Sequence, residues 1–205
     1  LDIGCHPGGW TQVAVEEVGE DGYVIGVDLL STSPVEGATI IIGDITNPNT
    51  IEQVNDELEG YNLNCVISDI SPRLTGRYDT DQAISLELST MVLDVAMPIL
   101  APGGSFVTKI FQGVGIEGLI EAAKMRFSSV QRFAPTASRN SSSETYLVCR
   151  NKLPKVRKEA KGKTAYEHLK EHLKKLDIVI ENEYGDEESE TKIGFRKYEP
   201  GKRKK

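Results

Sequence analysis

The first 150 residues alternate short apolar segments with segments of helical periodicity, and this alternation restricts the fold more than any other feature. The intervening helical segments are about ten residues or longer, which is typical of βαβ units and of a mostly parallel sheet. The sequence therefore predicts an α/β fold. The predicted strands are 1–3, 23–27, 38–42, 64–68, 105–109, 130–133 and 145–149, and the predicted helices are 10–18, 50–58, 81–100 and 116–127.

The net charge of −7 is distributed unevenly along the chain. Residues 1–150 carry 8 Lys and Arg against 20 Asp and Glu, whereas residues 151–175 carry 9 basic residues against 3 acidic ones. We therefore predict a boundary near Arg150, between a domain over 1–150 and a charged extension over 151–205 that is partly helical or disordered. Thr164 followed by Glu167 is the pattern of a capping box and predicts a helix start in this extension.

Cysteine usage and hydropathy indicate a cytoplasmic protein. Cys5, Cys65 and Cys149 are too far apart for a metal knuckle, and we expect all three to be buried free thiols in a reducing compartment. No apolar run reaches the roughly 20 residues that span a bilayer, and no signal peptide is recognisable. The sequence begins at Leu1 inside a predicted strand, which indicates a missing natural N-terminus. We expect a monomer that binds neither a membrane nor a metal.

A glycine-rich loop (residues 4–10, GCHPGGW) joins the first predicted strand to the first predicted helix. Glycines let the backbone approach a ligand closely, and the free amides of a helix start attract a carboxylate. Asp28 ends the next strand, where it suits a bidentate hydrogen bond to a ribose diol. Asp44 ends the third strand, in position to accept from an adenine amino group. A dinucleotide is a weaker alternative, since G-x-G-x-x-G is absent and Pro7 interrupts the loop.

Four segments, in the same order, resemble the FtsJ (RrmJ-like) ribose 2′-O-methyltransferases. The resemblance covers residues 1–150 and implies a Rossmann-like class I methyltransferase fold, with a mostly parallel seven-stranded sheet and an antiparallel closing strand. It also implies S-adenosylmethionine as methyl donor and RNA as substrate, most directly a uridine in large-subunit ribosomal RNA. The segments are 2–10 (DIGCHPGGW), 68–72 (SDISP), 103–113 (GGSFVTKIFQG) and 138–148 (SRNSSSETYLV).

The resemblance further implies roles for individual residues. The catalytic tetrad of this family is Lys-Asp-Lys-Glu, and Asp69, Lys109 and Glu144 match its last three members. In this family the first lysine lies on a helix before the opening motif. Here it is either upstream of Leu1 or absent from the enzyme. The implied contacts to the methyl donor are Gly8, Trp10, Asp28, Asp44 and Asp69.

Methyl transfer to a ribose needs a base, because a protonated 2′-hydroxyl is a poor nucleophile. The base must lie within about 3 Å of that hydroxyl. Lys109 is the candidate, since a neighbouring sulfonium, a second lysine and desolvation by bound RNA all favour its neutral form. Asp69 and Glu144 would orient the lysine amino groups.

Other interpretations of the sequence stay open. Transfer RNA is the second candidate substrate, and two further hypotheses are a methyltransferase-like module that binds RNA without turnover and a nicotinamide-dependent oxidoreductase. His168 and His172 have the spacing of a metal-binding pair, but their lysine-rich surroundings favour a solvated helix face. Four arginines flank the motif loops and are either phosphate contacts or ordinary surface residues: Arg73, Arg77, Arg132 and Arg139.

Overall fold

The computed structural model describes residues 1–71, 74–135, 144–183 and 192–197, with only the backbone described for 179–183 and 192–197. Seven strands form one sheet in the order β3-β2-β1-β4-β5-β7-β6. Strands β1 to β5 are parallel to one another, and β7 is antiparallel to both β5 and β6. These strands are β1 (Asp2–Ile3), β2 (Val24–Asp28), β3 (Ala38–Ile42), β4 (Leu63–Ser68), β5 (Leu100–Phe111), β6 (Phe127–Phe133) and β7 (Glu144–Lys152).

Helices connect the strands and cover the sheet, so the predicted α/β fold with an antiparallel closing strand is confirmed. They are α1 (Gly9–Val18), α2 (Pro48–Leu58), α3 (Tyr78–Ile99), α4 (Ile116–Lys124) and α5 (Ala165–Lys175). A separate hairpin pairs β8 (Ile178–Glu183) with β9 (Lys192–Lys197). Central strands contribute Ile3, Val66, Phe106 and Leu147 to the core, each at most 1% exposed. Strand β2 is buried from Val24 to Val27, which means burial on both of its faces and explains its continuously apolar sequence.

Helix α3 has 22 residues and is, in the described part of the chain, the one helix long and apolar enough to cross a membrane. The sequence of this helix contains no continuous apolar run, because polar residues interrupt it. Half of its most apolar 18-residue window is buried, and Val92, Leu93 and Ala96 are fully buried in the core. The helix is therefore accounted for as a core helix that packs on the sheet.

Several predicted boundaries are wrong by a few residues, for local reasons. Helix α2 begins at Pro48 rather than at residue 50, and Asn47 is its N-cap rather than Asn49. The Asn47 side chain accepts from the Asn49 amide at 3.0 Å, and proline suits the first helical position because its missing N–H needs no partner. The helix predicted over 116–127 ends at Lys124, so that Phe127 begins β6.

The expectation that all cysteines are buried is wrong for Cys65. Cys5 and Cys149 are buried free thiols, and burial raises the pKa of Cys149 to about 12. Cys65 is an exposed free thiol instead. It lines a groove of about 1020 Å³ that is also lined by α1 and by Ile67 of β4. The apolar pattern of a strand does not reveal which face of the sheet is open to solvent, so the exposure of Cys65 could not be predicted from it.

The predicted capping box is confirmed at the start of α5. The Thr164 hydroxyl accepts from the Glu167 amide at 3.0 Å, and the Glu167 carboxylate accepts from the Thr164 amide at 2.8 Å. Leu169 and Leu173 of α5 are fully buried in the main core cluster. The boundary near Arg150 stays a prediction, and residues 184–191 and 198–205 of the predicted extension lie outside the described residues.

Candidate active site

The carboxyl ends of the parallel strands form one edge of the sheet, and the glycine-rich loop lies at this edge between β1 and α1. The Gly4 amide donates to the Val27 carbonyl at 2.8 Å, which ties the loop to the end of β2. Gly4 has φ +78°, and a Cβ there would lie 3.0 Å from the Ile70 Cα. Only glycine therefore allows the loop to pass this close to the segment that follows β4.

Asp28 and Asp44 follow neighbouring strands at the same edge. The Asp28 carboxylate accepts from the His6 amide at 2.9 Å and from the Leu30 amide at 2.8 Å. It therefore holds the glycine-rich loop against the end of β2. Asp44 accepts from the Thr46 amide at 2.8 Å and from the Thr46 hydroxyl at 2.7 Å. Both acids have fixed orientations and are not freely moving surface groups.

Lys109 lies between two carboxylates. Its Nζ is 2.9 Å from Asp69 Oδ1 and 3.8 Å from Glu144 Oε1. The lysine side chain is 9% exposed, whereas the Asp69 and Glu144 side chains are 35% and 43% exposed. Strand order explains the cluster, since β5 lies between β4 and β7. The structure thus brings together the three predicted catalytic residues, in a position that solvent reaches from one side.

Tyr146 is a site residue that the sequence analysis missed. It lies directly opposite Lys109 in the β5–β7 register, and its ring lies 5.5 Å from that of Trp10 between centroids, tilted by 36°. Burial raises its pKa, and the carboxylates of Asp69 and Glu144 add to this shift, so the phenol stays protonated at neutral pH. Strand alternation was the available signal, because residues two apart on a strand share a face and Tyr146 follows Glu144 by two.

Asp2 is a second missed residue, immediately before the loop. It is fully buried, and the Thr11 hydroxyl donates to its Oδ2 at 2.6 Å. Its Oδ1 has no hydrogen-bond partner among the described residues. Burial raises the pKa of Asp2, the Thr11 bond lowers it in part, and the carboxylates of Asp69 and Asp28 raise it further. A buried acceptor without a donor at this place suits a ligand that carries hydrogen-bond donors.

Asp81 fixes the loop that follows Asp69. Its carboxylate accepts from the Thr75 amide at 2.8 Å, the Thr75 hydroxyl at 2.7 Å and the Gly76 amide at 3.1 Å. Burial alone would raise the pKa of Asp81, but these three hydrogen bonds outweigh it and hold the pKa below its ordinary value. This explains why α3 begins at Tyr78, three residues before the predicted start.

Replacing Asp81 with Ala is expected to lower the free energy of unfolding by about 1–3 kcal/mol at pH 7, because the Thr75 hydroxyl and the Thr75 and Gly76 amides lose the charged acceptor that they share. An acid with a lowered folded-state pKa contributes stability above its unfolded pKa of about 4, and that contribution is lost as the pH falls through the folded value. Urea unfolding of both proteins between pH 7 and pH 3 should show the difference shrinking with pH. Asp79→Ala, an exposed acid in the same turn, is the control. A difference that persists unchanged at pH 3 would contradict the assignment.

The other candidates have ordinary partners or lie outside the described residues. Arg132 lies 3.7 Å from Glu117, and Arg77 is the residue before α3. His172 Nδ1 and His168 Nε2 lie 3.1 Å and 3.7 Å from the same Glu121 oxygen. No group of three His, Cys, Asp or Glu in the described ranges is arranged to hold a metal ion. Arg73 and Arg139 are among the residues that the structure does not describe.

Comparison with known proteins agrees with this geometry. Residues 1–152 match the sequence profile of the FtsJ-like methyltransferase family. A ribosomal RNA large subunit methyltransferase E from Methanothrix thermoacetophila is 46% identical over 148 residues, which is 72% of this chain and 57% of that protein. A protein of the same name from Halorubrum lacusprofundi is 42% identical over 152 residues, 73% of this chain and 56% of that protein. The chain thus spans little more than half the length of these relatives.

A solved structure shares the fold of the domain. The crystal structure of a ribosomal RNA methyltransferase from Plasmodium falciparum superposes with a TM-score of 0.67 and 26% sequence identity. The match covers 75% of this chain and 86% of that protein. The sequence and structure comparisons therefore agree on the same kind of protein.

Proposed function

The chain belongs to the FtsJ-like methyltransferase family, and from this we propose that it transfers a methyl group from S-adenosylmethionine to a ribose 2′-hydroxyl of RNA. The observation that carries the proposal is the position of Lys109 between Asp69 and Glu144 at the carboxyl edge of the sheet. The names of the relatives support large-subunit ribosomal RNA as the substrate, and within it we propose a uridine as the target. We further propose a cytoplasmic monomer that needs no metal.

The residues at the carboxyl edge fit S-adenosylmethionine, which supplies a methyl group on an electrophilic sulfonium. Gly8 has φ +114° at the start of α1, where free backbone amides suit the carboxylate of the amino-acid moiety. Asp28 is placed to bind the ribose diol and Asp44 the adenine amino group. Trp10 and Asp69 complete the proposed donor site. The unpartnered Asp2 Oδ1 beside the loop fits a ligand with an ammonium group.

Lys109 is the proposed base for the 2′-hydroxyl. When bound, the donor would supply the methyl group from its sulfonium. As the O–C bond forms and the C–S bond breaks, Lys109 Nζ, as the neutral amine, would accept the hydroxyl proton. Asp69 and Glu144 hold that nitrogen in one position, so that substrate binding does not have to order a flexible lysine. RNA that covers the open side of the cluster would exclude water from the reacting atoms. Tyr146 and Trp10 would form the apolar wall beside the reacting atoms.

Tritiated methyl transfer tests the proposal. The protein is incubated with labelled donor and, in parallel, with ribosomal RNA, large ribosomal subunits and transfer RNA. Alkali-stable label in ribosomal RNA or in the subunits is the expected result, since a 2′-O-methyl group blocks alkaline cleavage. Label in transfer RNA alone would show that transfer RNA, the second candidate, is the substrate. Donor binding without label in any RNA would favour a binding module without turnover.

Asp28→Ala is expected to weaken S-adenosylmethionine binding by about 10- to 100-fold, because a charged hydrogen-bond acceptor contributes roughly 1.5–3 kcal/mol. The loop is expected to loosen as well, since the His6 amide loses its acceptor. Isothermal titration calorimetry measures the dissociation constant directly. Asp21→Ala, an exposed acid in the turn before β2, should leave it unchanged. Equal affinity in Asp28→Ala and wild-type protein would remove Asp28 from the donor site.

A further inference from the structure

Helix α5 runs along the outside of the domain from one edge of the sheet to the other. Its first amides, of Ala165 and Tyr166, donate to the Asp94 carboxylate at 2.6 Å and 3.0 Å, near the carboxyl end of α3. Near its other end, Leu173 packs so closely on Gly115 that a Cβ there would lie 2.7 Å from Leu173 Cδ2. Gly115 is the N-cap of α4. The helix therefore runs antiparallel to both α3 and α4.

This direction places the last turn of α5 at the edge that carries the candidate active site. Gly115 belongs to the short loop that leaves the carboxyl end of β5, the strand of Lys109. Eleven helical residues extend over about 16 Å, so the first and last turns of α5 lie at opposite edges of the sheet. The buried contacts of Leu169 and Leu173 hold this orientation.

The outward face of this last part of α5 is basic. Lys174 and Lys175 are exposed there, and the exposed Glu171 is paired with Lys163 at 2.7 Å. Lys170 Nζ lies 4.4 Å from the centre of the Tyr166 ring, toward the first turn of the helix. The domain itself offers little positive surface, since residues 1–150 carry 8 basic against 20 acidic residues. Of these basic side chains, Lys109 and Arg126 are buried and Arg132 is close to Glu117.

We propose that Lys174 and Lys175 form a phosphate-binding surface for the RNA substrate, at the edge of the sheet where its target ribose reaches Lys109. The inference rests on the proposed function, because a negatively charged RNA substrate must approach a domain that is itself acidic. Phosphate contacts position a nucleic acid without reading its sequence, and lysine supplies them as a mobile point charge. Lysines in a last turn also stabilise a helix through its dipole, but that role does not depend on which edge of the sheet they occupy.

A pair of charge-matched variants separates the two roles. Lys174→Gln/Lys175→Gln removes two positive charges at the active-site edge. Lys158→Gln/Lys161→Gln removes two from the 3-10 turn before α5, which lies at the opposite edge, because the Arg157 amide donates to the Met125 carbonyl just beyond α4. Fluorescence anisotropy with a large-subunit ribosomal RNA fragment then gives the dissociation constant at salt concentrations from 50 to about 300 mM.

The first variant is expected to bind RNA about five- to tenfold more weakly at low salt. Its plot of log affinity against log salt should be less steep by about 1.5, since each lost phosphate contact lowers the slope by roughly 0.7–0.9. The control variant should stay within about twofold of wild type, because its charges lie before the first turn of α5, about 16 Å along the helix axis from the last turn, and salt screens them from RNA bound at the active-site edge. Lys174→Arg/Lys175→Arg should restore binding, and donor affinity should be equal in all four proteins.

Three outcomes would overturn the inference. Equal losses in both glutamine variants would show a general charge effect, and equal affinity in all proteins would show that RNA does not reach α5. If wild-type protein methylates RNA in either case, only this inference fails and the proposed function stands. Wild-type protein that neither binds nor methylates any of the RNAs would overturn both.

Discussion

Replacing Lys109 with Ala is expected to reduce methyl transfer at saturating RNA and donor by about 100- to 10,000-fold, the usual contribution of a positioned base. The expectation follows from geometry, because Nζ is 2.9 Å from Asp69 and 3.8 Å from Glu144 and no other lysine in the described residues shares this cluster. Single-turnover kinetics with labelled donor measures the chemical step directly. Donor affinity should change little, since Lys109 is assigned to the hydroxyl and not to the donor.

The control for this variant is Lys124→Ala, an exposed lysine at the end of α4, which should transfer methyl groups at the wild-type rate. Loss of Lys109 leaves the carboxylates of Asp69 and Glu144 close to each other. Both side chains are more than a third exposed in the native protein, so water can solvate them. Folding should therefore survive, which thermal unfolding can check. Turnover within tenfold of wild type would show that another group accepts the proton.

Much of the fold was predictable from local pattern, because strands and helices have different apolar periods. The order of the strands was not, since alternation alone does not tell which strands are neighbours. The contact of Asp69 with Lys109 illustrates this, because it depends on β4 lying beside β5. Motif resemblance supplied the grouping of these residues with Glu144. In the structure, the carboxylates of Asp69 and Glu144 both lie within 4 Å of Lys109 Nζ.

What the sequence did not reveal depends on which face a residue occupies and on contacts between distant segments. Cys65 lies on an apolar strand yet faces an open groove. Asp94 caps α5 across 71 residues of sequence, and no local pattern indicates such a contact. The lysine-rich composition of α5 suggested a solvated helix, although every fourth position carries a buried residue: Ala165, Leu169 and Leu173. A narrow apolar stripe is easily missed among so many charges.

The buried stripe of α5 leads to the second large effect. Leu169→Ala is expected to lower the free energy of unfolding of the whole chain by about 2–5 kcal/mol, the range for removing a fully buried leucine side chain. The Leu169 Cδ1 would lie only 2.9 Å from a Cβ at Gly118, so α4 and α5 already pack closely here. We expect that the two helices do not move together enough to fill the cavity that the substitution leaves. We propose that residues up to the end of α5 unfold together with the domain. Urea denaturation followed by tryptophan fluorescence measures this through Trp10 of α1, the single tryptophan of the sequence.

Leu176→Ala is the matched control, because that leucine is 49% exposed and should change stability by no more than about 0.5 kcal/mol. The contrary result is equally informative. If Leu169→Ala leaves the Trp10 transition unchanged and limited proteolysis removes the segment after Arg150 while the domain stays folded, then residues 151–205 form an independent extension. In that case the lysines of α5 would have no fixed position relative to Lys109, and their contribution to RNA binding would have to come from a tethered segment.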